Sequence, residues 1–421
     1  MQTWHDYFGG FFNVDYRRVL PTGANLVTQR RVSSMALILC AMCLWADMDS
    51  TAATAGEVIY KPFRGLCYGP YRKGQDPDLN IQPSEVQLTE DLATIQSLAC
   101  QIRTYGVNDA LYKIPALCSS NNIACYPGAW IESGSTAILT ANEQQLTNLI
   151  KIGLAQYPTT KGLIVGNEYL DRHEQTDFAN AKTLLNSYIQ RVKSLTGQKV
   201  GTACGWHIWN NDYVSDVAAN VDFLLMHVHP FHESQYYTPN LTITNAFQHV
   251  TNRYYLIKQK YPGKHVIIGE TGWPTAGLKN YGAVPSPANQ ARFLLEFASW
   301  ARTNDVDYFF FSAFDEPYKQ KYAVAEGYWG VLSEPRPFSP KTALVQWLTD
   351  GCVIDWQHVP AQIQVSTFEG NRYTWASKTN LLDPAWTVGG AFVGQTGTNR
   401  TIVSLPASTN SASFIRVRMD F

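Results

Sequence analysis

From Gly65 onward the chain alternates short apolar runs with longer stretches in which apolar residues return every three or four positions. A run that is apolar at every position marks a strand buried on both faces, and the 3.6-residue return marks a helix laid against it. Eight segments read as strands, at 65–68, 101–105, 123–130, 163–168, 199–205, 223–229, 265–270 and 308–314. Helical stretches fall between them at 84–99, 142–156, 177–195, 242–261 and 287–303. The first is the clearest: Leu88, Leu92, Ile95 and Leu98 share one face, and Ser84 with Gln87 makes a capping box. This rhythm predicts an α/β fold of the (β/α)8, or TIM-barrel, type.

After Trp347 the pattern changes. Residues 353–421 carry no helical period, and alternating runs at 361–367, 400–405 and 413–419 are separated by Gly, Asn and Pro turns. They predict a small, sandwich-like all-β domain. At the other end, Arg30-Arg31, the apolar run 35–45 and the small residues Ala53-Thr54-Ala55 read as an export signal. A run of that length is too short to span a bilayer. The alternative is a buried N-terminal helix, and the long stretch before the arginine pair is unusual for a signal. The expected organisation is an export region over 1–55, a barrel over 56–350 and a C-terminal β-domain over 351–421. The mature chain is expected to be secreted, or held at the cell surface or in the periplasm, with no integral membrane segment.

With 33 basic against 34 acidic residues, the chain has neither a basic stripe for nucleic acid nor an acidic solvating tail. Charged residues make up only 16% of it while aromatics reach 13%. That excess fits a core and equally a sugar cleft, because the C–H faces of pyranose rings pack on aromatic rings. Cys40 and Cys43 fall in the export region; Cys67, Cys100, Cys118, Cys125, Cys204 and Cys352 are widely spaced, which argues against a zinc site or a dense disulfide framework. Cys118 and Cys125 are the best candidates for one disulfide, the alternative being small buried thiols.

Glu168 closes the apolar run 163–168 and Glu270 the run 265–270. In a (β/α)8 chain the strand ends carry the chemistry, so two carboxylates placed this way form a candidate acid–nucleophile pair for glycosidic bonds. A satisfied buried Glu or a rim salt bridge is the structural alternative. Asn167, directly before Glu168, could hold a sugar 2-hydroxyl. Tyr68, Trp130, Trp206, Trp209, His229, Phe231, Trp273 and Tyr318 stand at strand ends, where sugar contact and packing are equally open. His227 and His229 alternate on a strand, but no third metal ligand accompanies them at suitable spacing, so neither metal nor cofactor is expected.

Gly166-Asn167-Glu168 and Gly269-Glu270-Thr271-Gly272-Trp273-Pro274 resemble the acid and nucleophile motifs of glycoside hydrolase family 17, the β-1,3-glucanase and glucanosyltransferase family, in its microbial branch. Gly65-Leu66-Cys67-Tyr68-Gly69-Pro70, Ile102-Arg103-Thr104-Tyr105 and Phe314-Asp315-Glu316-Pro317-Tyr318-Lys319 resemble other segments of that family in the same order. The resemblance covers about residues 64–335. It implies a retaining enzyme with Glu168 as acid/base and Glu270 as nucleophile. It also implies a β-glucan polysaccharide or oligosaccharide as substrate, bound by Tyr68, Arg103, Tyr105, Trp130, Asn167, Trp206, His229, Trp273, Glu316 and Lys319.

Glu326 matches a further charged position of the family. His229 stands where plant-type members carry Tyr, while Ser312 and Tyr318 depart from close microbial members. Hydrolysis of β-1,3-glucan is the leading expectation. Glucan transglycosylation and a non-catalytic carbohydrate-binding protein are the alternatives, and a monomer is expected. Asn240-Leu241-Thr242 and Asn399-Arg400-Thr401 are glycosylation sequons, of use only in a eukaryotic host.

Overall fold

The computed structural model describes residues 63–236, 240–334 and 341, together with the backbone of six strands between 352 and 419. The expected export segment lies outside the described residues. Nine parallel strands form one sheet among the described residues: β1 (Phe63–Cys67), β2 (Ala99–Arg103), β3 (Ala124–Tyr126), β4 (Gly128–Ala129), β5 (Leu163–Asn167), β6 (Val200–Gly205), β7 (Phe223–His227), β8 (His265–Thr271) and β9 (Tyr308–Phe310). Their spatial order is β3-β2-β1-β9-β8-β7-β6-β5-β4. The outermost two, β3 and β4, are consecutive pieces of one passage of chain interrupted at Pro127, which has no N–H to give to a ladder. β3 pairs with β2 and β4 with β5, while the Pro127 carbonyl accepts from the Ile164 N–H at 2.9 Å. The ring therefore closes through Pro127, and the architecture is an eight-fold barrel whose third strand is in two pieces.

Helices Glu85–Gln96, Thr136–Ala155, Phe178–Thr196, Ile243–Lys260 and Pro287–Thr303 correspond to the five expected stretches, the second starting earlier than its apolar period suggests. The capping box at Ser84 is formed in both directions: the Gln87 N–H donates to Ser84 Oγ at 3.3 Å and the Ser84 N–H to Gln87 Oε1 at 2.8 Å. Leu88, Leu92 and Ile95 of that helix are buried, each contributing roughly 1.5–3 kcal/mol of burial. Asp91 is buried on the same face, which only its partners explain. It accepts from the Tyr68 hydroxyl at 3.0 Å and from Arg72 at 2.8 Å.

The expected Cys118–Cys125 disulfide is not formed. Both are buried free thiols, and a hydrogen bond between them, then burial, push the Cys125 thiol well up. The C-terminal segment contains β10 (Cys352–Asp355), β11 (Gln362–Ser366), β12 (Arg372–Lys378), β13 (Thr387–Val393), β14 (Arg400–Ser404) and β15 (Phe414–Met419). They form two antiparallel sheets ordered β10-β11-β14 and β13-β12-β15, as the alternating pattern predicts. Among the described residues no helix is long and apolar enough to cross a membrane.

Candidate active site

Because every barrel strand runs the same way, all their C-terminal ends open at one mouth. The two carboxylates are aimed into it by irregularities in β5 and β8. On β5, Ile164 pairs with Gly201 but Asn167 with Ala203, so one extra residue is accommodated at Val165-Gly166. Gly166 takes φ +80° there and Glu168 itself takes φ +50°, backbone that glycine adopts freely and glutamate at a cost of about 1–3 kcal/mol. On β8, Ile268 pairs with Met226 and Glu270 with His227, leaving Gly269 as the extra residue. A Cβ on Gly269 would lie 2.8 Å from the Leu225 Cβ and 2.9 Å from the His227 Cδ2, so only glycine lets the imidazole stand where it does. Both bulges turn the next side chain off its strand face.

Beneath the mouth lies Arg103, wholly buried. Its Nη1 donates to the Gly269 carbonyl at 3.0 Å and meets His227 Nε2 at 2.7 Å, and its Nη2 donates to Asn167 Oδ1 at 2.6 Å. Its Nη1 is also 3.4 Å from Glu270 Oε1. His227 Nδ1 lies 2.8 Å from Glu168 Oε1, and His229 Nε2 lies 3.2 Å from Glu270 Oε2. One oxygen each of Glu168 and Glu270 and one nitrogen each of His227 and His229 all lie within 4.8 Å of one another.

Burial works to raise the Glu270 pKa, but His227, His229 and Arg103 around it prevail and hold it well below the usual carboxylate range. For Glu168 burial again raises, the His227 hydrogen bond lowers, and the outcome is a pKa below the ordinary value even though the Glu270 charge opposes it. Burial lowers the His229 pKa, yet the bond to Glu270 raises it further, so an ion pair is favoured.

The sequence alone offered no third metal ligand, whereas folding brings both glutamates beside both histidines. Two carboxylates and two imidazoles are a metal-type donor set. Here both His227 nitrogens are already hydrogen-bonded, and the Arg103 guanidinium presses a fixed cation on Glu270. Those partners suit an acid–nucleophile pair better than an ion.

The pair sits in a cleft of about 1310 Å³ lined by Tyr68, Tyr105, Trp130, Asn167, Trp206, His229, Glu316, Tyr318 and Lys319 among others. Trp206 donates to Glu233 Oε2 at 2.9 Å under the Arg253 guanidinium, 4.1 Å from its ring, and Trp130 carries Arg172 at 4.6 Å. Lys319 donates to Glu316 Oε2 at 2.6 Å, and Glu326 pairs with His232 at 3.1 Å.

Two expected subsite residues, Trp273 and Arg103, need correction, and the open questions over Trp209 and Phe231 are answered with them. Trp273 is fully buried against Phe231 and Phe293 with its Nε1 on the Val284 carbonyl, so it is a wall residue. Trp209 and Phe231 are likewise buried and outside the cleft lining. Arg103 lies behind the lining and acts through its neighbours. Asp171, Glu233, Arg253 and a hydrogen-bonding His227 are additions that no local pattern announces.

Residues 65–330 match the family model described as the BtgE/BtgC glycoside hydrolase domain. The btgC protein of Aspergillus niger is 30% identical over 323 residues, 70% of this chain and 46% of that protein. The glucan endo-1,3-beta-glucosidase btgC of Emericella nidulans is 26% identical over 309 residues, 68% of this chain and 46% of that protein. The chain therefore spans a little under half the length of these curated relatives. In three dimensions it is similar to the glycoside hydrolase family 17 β-1,3-glucanosyltransferase from Rhizomucor miehei, with 27% identity and a TM-score of 0.54 over 66% of this chain and 96% of that one. The sequence match, the barrel and the carboxylate pair at its mouth agree, and the chain belongs to the BtgE/BtgC glycoside hydrolase family.

Proposed function

We propose that this chain cleaves β-1,3-linked glucan with retention of configuration, Glu168 serving as acid and base and Glu270 as nucleophile. The observation that carries the reading is their spacing. Carboxylate oxygens within 4.8 Å suit direct attack on the anomeric carbon, for which the carboxyl groups stand about 5–5.5 Å apart; activating a water needs roughly 6.5–9.5 Å.

In the first half, Glu168 gives its proton to the glycosidic oxygen as the Glu270 carboxylate bonds to C1, and the leaving sugar departs with that proton. In the second, the Glu168 carboxylate takes a proton from water, whose oxygen displaces Glu270 from C1. Forming the glucosyl ester neutralises Glu270, whose charge raises the Glu168 pKa, so Glu168 deprotonates more readily when it must act as base. Asn167, its Oδ1 held by Arg103, keeps its amide nitrogen for the substrate.

The cleft lining reaches from Tyr71 after β1 to Trp206 after β6, well beyond the two carboxylates themselves. That extent supports a second reading, transfer of the glucosyl group to a sugar hydroxyl in place of water. The names of the relatives support the β-1,3 linkage. The Arg30-Arg31 and 35–45 pattern supports export of the chain.

Proton NMR of laminarioligosaccharide digestion tests the reading. The first new reducing end should be the β anomer; α product appearing first would defeat double displacement. Products longer than the substrate would mark transfer.

A further inference from the structure

His227 lies at the end of β7, between the acid candidate and a buried arginine that the reaction itself does not use. We propose that His227 is a positioning residue for Glu168: locked by Arg103 into the tautomer with its proton on Nδ1, it donates that proton's hydrogen bond to Glu168 Oε1 and thereby confines the acid proton to Oε2. This rests on the retaining reading above.

The lock follows from donor counting. Arg103 remains protonated and has no acceptor, so at 2.7 Å its Nη1–H must donate to His227 Nε2. Nη1 has two hydrogens, and the other goes to the Gly269 carbonyl at 3.0 Å. An imidazole that accepts at Nε2 carries its hydrogen on Nδ1, which is 2.8 Å from Glu168 Oε1. That oxygen, already accepting, is the poorer seat for the carboxyl proton, and Oε2 remains. The ring is buried and held at both nitrogens, and the backbone of β8 stands so near that a Cβ on Gly269 would lie 2.9 Å from its Cδ2.

The arrangement also favours the Glu168 anion that the second step needs. Besides His227, the groups that act on Glu168 are Glu270 from β8 and His229 beyond the end of β7. Arg103 from β2, Asp171 from the turn after β5 and Cys204 from β6 are also close enough to interact with it.

The test is the pH profile of kcat/KM for the full chain on a β-1,3-linked glucose oligomer. Its alkaline limb reports loss of the acid proton from Glu168. His227→Phe removes both nitrogens and keeps ring volume. The limb should then move up by roughly one pH unit, and kcat should fall about 10- to 100-fold with KM little changed. His227→Asn, whose amide N–H can stand where Nδ1–H does, should bring the limb back toward wild type, while His227→Gln, reaching the Nε2 position, should not.

If the phenylalanine variant fails to fold, the Asn and Gln pair decides. An unmoved limb in Phe or Gln, or an equally displaced limb in Asn, would overturn the proposal. Asp171→Asn serves as the background control, because the shift must persist without that second carboxylate. Titration of the Glu168 carboxyl by carbon-13 NMR reads the same shift without turnover. An absent wild-type activity would thus count against the glucanase reading and leave the His227 assignment to that titration.

Discussion

Glu270 and Asp171 are both buried carboxylates at the barrel mouth, yet their surroundings drive them apart. Glu270 faces Arg103 and His229, and these hold it ionised, whereas burial pushes Asp171 up to about 6 despite the backbone N–H of Gly205 on its Oδ1. Replacing Glu168 or Glu270 with Gln should lower turnover on β-1,3-glucan by roughly 10²- to 10⁴-fold with an unchanged circular dichroism spectrum. Near-normal activity in either variant would remove that residue from its role. Asp171 gives a pH-dependent stability prediction. Its folded pKa is raised, so the stability linked to its protonated form is complete below about pH 4 and lost as pH rises through about 6. Asp171→Asn should therefore raise the melting temperature near pH 8, by an amount equivalent to at most about 3 kcal/mol, and change little near pH 4. A lower melting temperature near pH 8 would mean that the His207 imidazole, 3.6 Å away, stabilises the anion more than burial penalises it.

At the scale of strands and helices, both candidate glutamates depend on a glycine one or two positions earlier. Gly269→Ala would set a methyl group against Leu225 and His227 and should cost about 1–3 kcal/mol in denaturant unfolding, with a loss of kcat larger than any change in KM. Gly166→Ala would meet only the end of the Leu185 side chain closely, at 3.3 Å, but demands φ +80°, so about 1 kcal/mol is expected. If Gly269→Ala proved as mild as Gly166→Ala, the close contact with His227 would not be what fixes the bulge. The eight strands and the Ser84 cap were legible because burial on both faces and cap chemistry are local. The break of the third strand was half legible: Pro127 is visible in the sequence, but that it closes a ring depends on the neighbours on either side.

For the molecule as a whole, we propose that residues 351–421 form a β-domain separable from the barrel. The barrel mouth reaches as far as Lys341, whose Nζ donates to Asp315 Oδ1 at 2.7 Å and to Thr275 Oγ1 at 2.6 Å, tying together the loops after β8 and β9. A chain ending near Gly351 keeps that tie and should retain activity on short soluble oligosaccharides, while losing retention on insoluble glucan in a pelleting assay. A folded truncate that is inactive on short substrates would show that the tail contributes to the site. Ending the chain before Lys341 should instead destabilise the mouth, because Asp315 would be left buried without its cation.

The barrel, the all-β tail and the two candidate glutamates were legible in the chain alone, since strand and helix periods, turn residues and the Gly-Asn-Glu and Gly-Glu-Thr-Gly-Trp segments are each contiguous in it. Tertiary structure decided what surrounds the pair. Arg103, His227 and Asn167 come from three different strands, and which of them bond follows from shear and bulges around the ring. Trp273 reads as a cleft aromatic and Trp209 stays open because both follow strand ends, but whether a large ring faces sugar or core depends on the helices packed behind it. Local pattern fixes where a side chain leaves the backbone; the groups it meets, and so its charge, come from segments far away in the chain.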